Sequence, residues 1–207
     1  YEHLLPGGNL ILHVDQKTSH DWRKLLDQTL GEAHFANEII WSYRRWPSNN
    51  NSFQRMHDTL LRYTKPGAPP IFNKLYQEQA PSTAKHSKGR KQAATFDAEG
   101  KRHNSFSDEP SPGVVLNDVW TFPIVAPTSK ERKRASNYPT QKPEALLERL
   151  VLALSNPNST VIDPFCGSGT TLVAATKHNR RALGIDSSEV AIAASEARLN
   201  IKRKEVL

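Results

Sequence analysis

The chain reads as an α/β protein on a doubly wound, mostly parallel sheet, and three observations lead there. Its last third runs strand, glycine-rich turn, helix, strand, helix, which is half of such a sheet. Its first third carries short apolar runs bounded by turn residues, the mark of buried strands. Between them lies a polar stretch too poor in apolar residues for a core of its own. At 207 residues the chain can form one domain with a sizeable core and an appended insert.

The elements follow in order. Asn9 to Val14, after Pro6-Gly7-Gly8, is a buried strand. Ser19 to Leu30 is a helix with Trp22, Leu25, Leu26 and Leu30 on one face, capped by Ser19 and ended by Gly31. Glu38 to Tyr43 and Thr59 to Thr64 are two further strands, joined by a polar, Asn-rich turn that holds Arg44, Arg45, Trp46 and Arg55. From Pro66 to Pro112, Pro, Ser, Lys and Gly dominate, so this segment reads as loop or partly disordered. Pro143 suits a first helical position, with Leu146, Leu147, Leu150, Val151 and Leu154 behind it. Thr160 to Ile162 is a strand, a helix starts near Thr170, Arg181 to Ile185 is a strand, and Ser188 to about Lys204 is the last helix. The resulting division is 1–66 and 118–207 as parts of one α/β domain, with 67–117 as an insert.

Lys and Arg number 28 against 21 Asp and Glu, a formal charge of +7, which favours a polyanionic partner. The single cysteine, Cys166, excludes an internal disulfide and fits a reducing, cytoplasmic setting. No apolar run reaches the ~20 residues of a membrane span. No metal ligand is assigned.

The strongest local signal is Asp163-Pro164-Phe165-Cys166-Gly167-Ser168-Gly169-Thr170-Thr171, which leaves a strand and opens a helix. In open α/β sheets that edge binds ligands. A phosphate-binding P-loop needs Lys after the final Gly, where Thr170 stands, and a dinucleotide fingerprint needs Gly where Leu172 stands. What remains suits a ligand with an amine, a carboxylate and a ribose. Asp163 can take an ammonium, the glycine amides and helix start a carboxylate, and Asp186 at the next strand end the ribose hydroxyls. The plainer alternative has Asp163 and Asp186 only capping helices. Their matching positions at two strand ends favour a cofactor.

This loop resembles the cofactor loop of DNA amino-methyltransferases, and Tyr138-Pro139-Thr140-Gln141-Lys142-Pro143 resembles that family's other cofactor segment in the class with this motif order. Asn37-Glu38-Ile39-Ile40-Trp41, Asn117-Asp118-Val119-Trp120 and Lys130-Glu131-Arg132 are similar to it too, so the resemblance covers nearly the whole chain, most weakly from Tyr76 to Pro110. It implies a Rossmann-like, S-adenosylmethionine-dependent methyltransferase fold with a polar target-recognition insert. It implies that Thr140 and Lys142 hold the methionine end of S-adenosylmethionine. It further implies that Asp163, Phe165, Gly167, Ser168, Gly169 and Thr170 cradle the cofactor and that Asp186 binds the ribose. Taken alone, Lys142 would read as an ordinary solvated lysine.

The same resemblance implies methylation of an exocyclic base amino group at a specific site in double-stranded DNA, with the target base flipped out. Adenine N6 is the first expectation and cytosine N4 the alternative. A prokaryotic restriction-modification setting, with a cognate restriction endonuclease as a further candidate partner, belongs to the same expectation. Lys85, Lys88, Arg90 and Lys91 in the insert, with Arg44 and Arg45, are the candidate phosphate contacts. A solvated loop and a plain surface turn are the alternatives.

The family's Asp/Asn/Ser-Pro-Pro-aromatic catalytic motif does not occur in the chain. Ala68-Pro69-Pro70-Ile71-Phe72 is the nearest string and reads as loop, so no catalytic residue is assigned. The motif order places the missing segment before Asn9, and the opening at Tyr1 reads as the tail of a helix, so the expectation is an N-terminally truncated enzyme. In that case the strands at Asn9 and Thr160 would be separated by one strand's place, or would have closed up to pair directly. A non-catalytic cofactor- or DNA-binding remnant is the alternative if the chain is whole. An RNA or protein methyltransferase fits the Thr140-Gln141-Lys142-Pro143 segment and the insert less well. A ring-carbon methyltransferase would need a Pro-Cys nucleophile, and Phe165 separates Pro164 from Cys166.

Overall fold

The computed structural model describes residues 1–49, 51–134 and 140–201. It divides the chain into two compact units: Tyr1–Asn73 together with the chain from Asp118 onward, and Lys74–Asn117.

In the larger unit, β1 (Asn9–Asp15) is followed by α1 (Ser19–Leu26), which runs on through a π-helical turn (Asp27–Gly31) into β2 (Phe35–Ser42) and β3 (His57–Thr64). Thr18, not Ser19, is the residue before the helix, and it makes no side-chain cap bond. The inward stripe of this helix also differs from the apolar pattern. Arg23, Leu26, Asp27 and Leu30 fall at i, i+3, i+4 and i+7. Leu26 and Leu30 pack on the Val14, Leu61, Tyr63 cluster. Arg23 pairs with Asp27 (2.8 Å) and lies over the Phe35 ring, while Asp27 accepts from the Tyr63 hydroxyl (2.7 Å). A satisfied ion pair can thus take core-facing positions, and Trp22 and Leu25 are left exposed.

The smaller unit follows as β4 (Tyr76–Gln77), α2 (Pro81–Ser87), β5 (Arg90–Phe96), β6 (Arg102–Pro110) and β7 (Val114–Val115). In place of the expected loop, β5 and β6 form an antiparallel hairpin and β4 pairs with β7. The hairpin is polar, and ion pairs join its strands and close its turn. Lys91 pairs with Glu109 (3.0 Å) and His103 with Asp97 (2.7 Å).

The chain then adds β8 (Val119–Thr121), α3 (Lys130–Arg134), α4 (Glu144–Leu154), β9 (Thr160–Asp163), α5 (Thr170–Lys177), β10 (Arg181–Gly184) and α6 (Glu189–Leu199). Pro143 is the residue before α4 rather than its first helical residue. Tyr138 and Pro139 lie outside the described residues. The last helix ends at Leu199, short of Lys204, because Asn200 takes a left-handed conformation (φ 54°) that stops it.

Within the larger unit one sheet has the order β1-β3-β2-β8 and a second pairs β10 with β9. The pairings β1-β3 and β2-β3 are antiparallel, while β2-β8 and β9-β10 are parallel. The α/β class holds, but the strand directions are mixed rather than mostly parallel. The reason for the β2-β3 pair is local: among the described residues no helix stands between Tyr43 and His57, and a parallel return needs a crossover. Central β3 is buried on both faces, with Leu60, Leu61 and Tyr63 almost fully enclosed. β1 and β9 do not pair, and no described strand bonds to both.

α4 holds the unit together. Leu147 and Val151 pack with Ala174, Ala175 and Val161, and Arg149 lies over the rings of Trp120 and Phe122. Helix ends leave carbonyls without partners. Here Asn9 donates to Leu154 O, Asn73 to Leu152 O and Ser155 O, and Arg180 to Ser155 O. This ties the end of α4 to Asn9 of β1, to Asn73 and to Arg180 just before β10.

Candidate functional site

A cleft of about 260 Å³ opens where β9 and β10 end. Its lining brings together Thr140, Lys142, Asp163, Phe165, Ser168, Thr170 and Asp186 with Gly167, and adds Gln141, Leu147, Cys166 and Thr171. Gly169 is not in the lining. It turns the chain beneath the loop at φ +72°, against Ser195 of α6.

The loop is folded on itself. The Phe165 amide donates to Asp163 Oδ1 (3.1 Å), Cys166 to Ile185 O (2.9 Å), Gly167 to Asp186 Oδ2 (2.8 Å) and Gly169 to Cys166 O (2.8 Å). The glycine amides expected to face a carboxylate are therefore already engaged. Asp186 also accepts from the amide of Ser188 through Oδ1 (2.9 Å), so it braces the loop and the turn into α6, whose cap is Ser188 itself, while lining the cleft. Those amides, Ser188 and then Gly167, hold its carboxyl below the usual range.

Ser168 and Thr170 are buried, and their oxygens turn to Arg198 of α6. The guanidinium donates to Ser168 O (2.9 Å) and Thr170 Oγ1 (2.9 Å) and pairs with Glu144 (3.6 Å). Ser195 donates to Gly167 O (2.7 Å). Phe165, in contrast, is 85% exposed at the rim. Cys166 is buried, and burial pushes its thiol up, which makes it a poor nucleophile.

Lys142 lines the same cleft. Burial lowers its pKa, and the Asp58 carboxylate opposes that effect. Asp58 accepts from His13 Nε2 (2.9 Å) and the Tyr43 hydroxyl (2.8 Å). Burial raises its pKa, but these two bonds outweigh it and leave the carboxyl below its ordinary range. Gln141 is 8% exposed. Its amide nitrogen reaches Glu131 (3.2 Å), while its carbonyl oxygen has no partner among the described residues.

Gln141 sits between Thr140 and Lys142 in the cofactor segment, and that position is its signal in the sequence. Ser195, Arg198 and Asp58 have no local signal, because they reach the site from distant elements. Among the described residues no group of His, Cys, Asp and Glu is placed to hold a metal, and no helix is long and apolar enough to cross a membrane. Arg44 and Arg45 are exposed after β2. Lys85, Lys88, Arg90 and Lys91 are exposed in the smaller unit, with Lys91 paired to Glu109 and Arg90 over the Phe106 ring.

A glycine loop and two carboxylates at the ends of adjacent parallel strands define a Rossmann-like α/β domain with a small-molecule cleft. The chain belongs to the N6/N4 DNA methylase family, whose model matches residues 1–197. The type II methyltransferase M.HpaI of Haemophilus parainfluenzae is 32% identical over 200 residues, covering 97% of this chain and 56% of that protein. The DNA adenine methyltransferase YhdJ of Escherichia coli is 32% identical over 164 residues, covering 79% of this chain and 51% of its own. The chain thus spans about half the length of these relatives. The crystal structure of the M1.HpyAVI–SAM complex superposes with a TM-score of 0.63 at 22% identity, covering 95% of this chain and 76% of that one.

Proposed function

We propose that the cleft binds S-adenosylmethionine and that the protein methylates an exocyclic amino group in DNA, adenine N6 before cytosine N4. The observation that carries the reading is the convergence of Lys142, Asp163 and Asp186 on one cleft with the buried, unpartnered carbonyl oxygen of Gln141. An orphaned buried acceptor costs free energy until a donor arrives, and the ligand's amino groups are such donors, so the residues present fit the group. When bound, the cofactor supplies an electrophilic methyl on sulfonium sulfur.

The chain's residues do the rest. Asp163 commits Oδ1 to the Phe165 amide, and its other oxygen serves the cofactor's ammonium. Lys142, next to Gln141, pairs with its carboxylate. Asp186 meets the ribose, and exposed Phe165 covers an aromatic face. The Pro-Pro-aromatic motif that would hold the target amine is not among the 207 residues. The activity is therefore proposed for the whole protein, and cofactor binding for this chain. DNA is the proposed partner through Arg44, Arg45, Lys85, Lys88, Arg90 and Lys91. The target base leaves the duplex, because an amino group inside the stack cannot reach a buried methyl. Adenine is favoured by the relative named as an adenine methyltransferase.

Titration calorimetry of the chain with S-adenosylmethionine tests the cleft. The parent should bind, and Asp163→Asn and Lys142→Met should each weaken binding by about tenfold or more, as for the removal of a charged hydrogen bond. Absence of heat from the parent, or unchanged variants, would overturn the assignment. Nucleoside analysis of DNA treated with the whole protein separates N6-methyladenine from N4-methylcytosine.

A further inference from the structure

We propose that the loop between β2 and β3 is a base-stacking element: Trp46 and Phe53 take unstacked DNA bases while Arg44, Arg45 and Arg55 hold the flanking phosphates. The proposal rests on the DNA reading above and adds an interaction of a different kind to it.

Trp46 is 94% exposed and Phe53 101%. A single half-exposed aromatic on a surface is ordinary. Two aromatic rings fully in water on one loop are not. From Tyr43 to Met56 the chain has three arginines and no Asp or Glu, so the only charges the loop itself carries are cationic. An apolar protein partner would not need that charge. A polyanion carrying flat π surfaces uses both features: its phosphates take the guanidiniums and its bases take the rings.

The loop is also placed for it. It leaves β2 and enters antiparallel β3 at the edge where Trp41, Tyr43 and Asp58 lie, and Asp58 faces Lys142 of the cleft. Its root is tied down. The Tyr43 amide donates to Met56 O (2.9 Å), Arg45 donates to the Tyr43 hydroxyl (3.3 Å), and that hydroxyl donates to Asp58 (2.8 Å). Bases are therefore offered to rings at the edge that holds the proposed methyl donor. This is where a duplex must be opened for its amino group to be reached.

The test is DNA binding by the full chain in the presence of S-adenosylmethionine, using a labelled duplex with one mismatched pair, whose bases unstack readily. Trp46→Ala and Phe53→Ala should each lower affinity by about 5- to 150-fold, the range for one base–aromatic stack, and Trp46→Phe should restore most of it. The salt slope should stay at the parent value in these variants, because rings release no counterions. Arg44→Ala with Arg45→Ala should reduce it by about two units. Denaturation midpoints should match the parent, since the rings are fully exposed. If the parent binds and the ring variants bind equally well, the stacking role is overturned and the DNA reading stands. If the parent binds no DNA at all, the DNA reading fails and this role with it.

Discussion

Gly169→Ala is the sharpest probe of how the cleft is built. A Cβ at this position would lie 2.7 Å from Ser195 Oγ, 2.9 Å from its Cβ and 3.2 Å from its Cα. The hydroxyl alone could rotate away, but the Cβ and Cα belong to α6 and move only with the helix. Overpacking of this kind costs about 1–3 kcal/mol. The φ of +72° adds about 1–2 kcal/mol for any L side chain. The total of about 2–5 kcal/mol is a large share of the stability of an ordinary domain. If α6 retreats, the Ser195 bond to Gly167 O and the Arg198 bonds to Ser168 and Thr170 go with it. Urea denaturation with parallel cofactor calorimetry is the assay. Ser195→Gly removes both the Oγ and the Cβ from the overlap. Gly169→Ala with Ser195→Gly should therefore be more stable than the two single effects added together, by about the 1–3 kcal/mol of overpacking. Additivity within about 0.5 kcal/mol would show that the two residues do not collide and would refute the reasoning.

Three further outcomes are expected. Replacing Lys85, Lys88, Arg90 and Lys91 by Ala should flatten the dependence of DNA affinity on salt by about one unit of slope for each phosphate no longer neutralised, measured by a binding titration at several salt concentrations. Burial, and then the bond to Asp27, push the Tyr63 hydroxyl up to about 12. The folded state therefore holds this proton more tightly than the unfolded chain. The associated stability is intact below about pH 10 and is lost as pH rises toward 12, about 3 kcal/mol in all, and Tyr63→Phe should blunt that alkaline loss in denaturation midpoints. The Asp186 carboxyl is held below its ordinary range by the Ser188 and Gly167 amides. Its contribution to stability is complete above about pH 4 and fades as pH falls through the lowered folded value, so Asp186→Asn should remove that share of the acid loss in denaturation midpoints.

The part of the site that is legible in the sequence is the part written in consecutive residues. Asp163 to Thr171 and Asp186 stand out because strand, glycine turn and helix repeat within one short stretch, and the cleft lies there. Ser195 and Arg198 brace the loop from α6. In sequence they are a serine and an arginine on an ordinary helix, because an interaction across about thirty residues leaves no local pattern. Trp22 and Leu25 mislead because apolarity is an incomplete sign of burial: Arg23 with Asp27 brings its own counter-charge and occupies the inner face. The hairpin of β5 and β6 is hidden for a related reason. Its strands are polar and their partners lie across the ladder, although Asp97 to Gly100 carries a readable turn, closed by the Gly100 amide to Asp97 O (3.0 Å). Strand direction is readable in the missing crossover between Tyr43 and His57.

The self-contained hydrogen bonding of the Asp163–Gly169 loop bears on the entropy of recognition. Four of its amides, those of Phe165, Cys166, Gly167 and Gly169, are already satisfied by Asp163, Ile185, Asp186 and Cys166, so these turns do not wait for a guest. A small molecule entering meets a rigid rim and need not freeze a floppy one, and each residue it does not have to order spares about 1–2 kcal/mol of backbone entropy. Under the proposed cofactor role, affinity would be set by a few side chains, Lys142, Asp163 and Asp186, rather than by how many groups the guest touches. A change that loosens the loop from behind, at Ser195 or Arg198, would weaken binding without touching anything that binds.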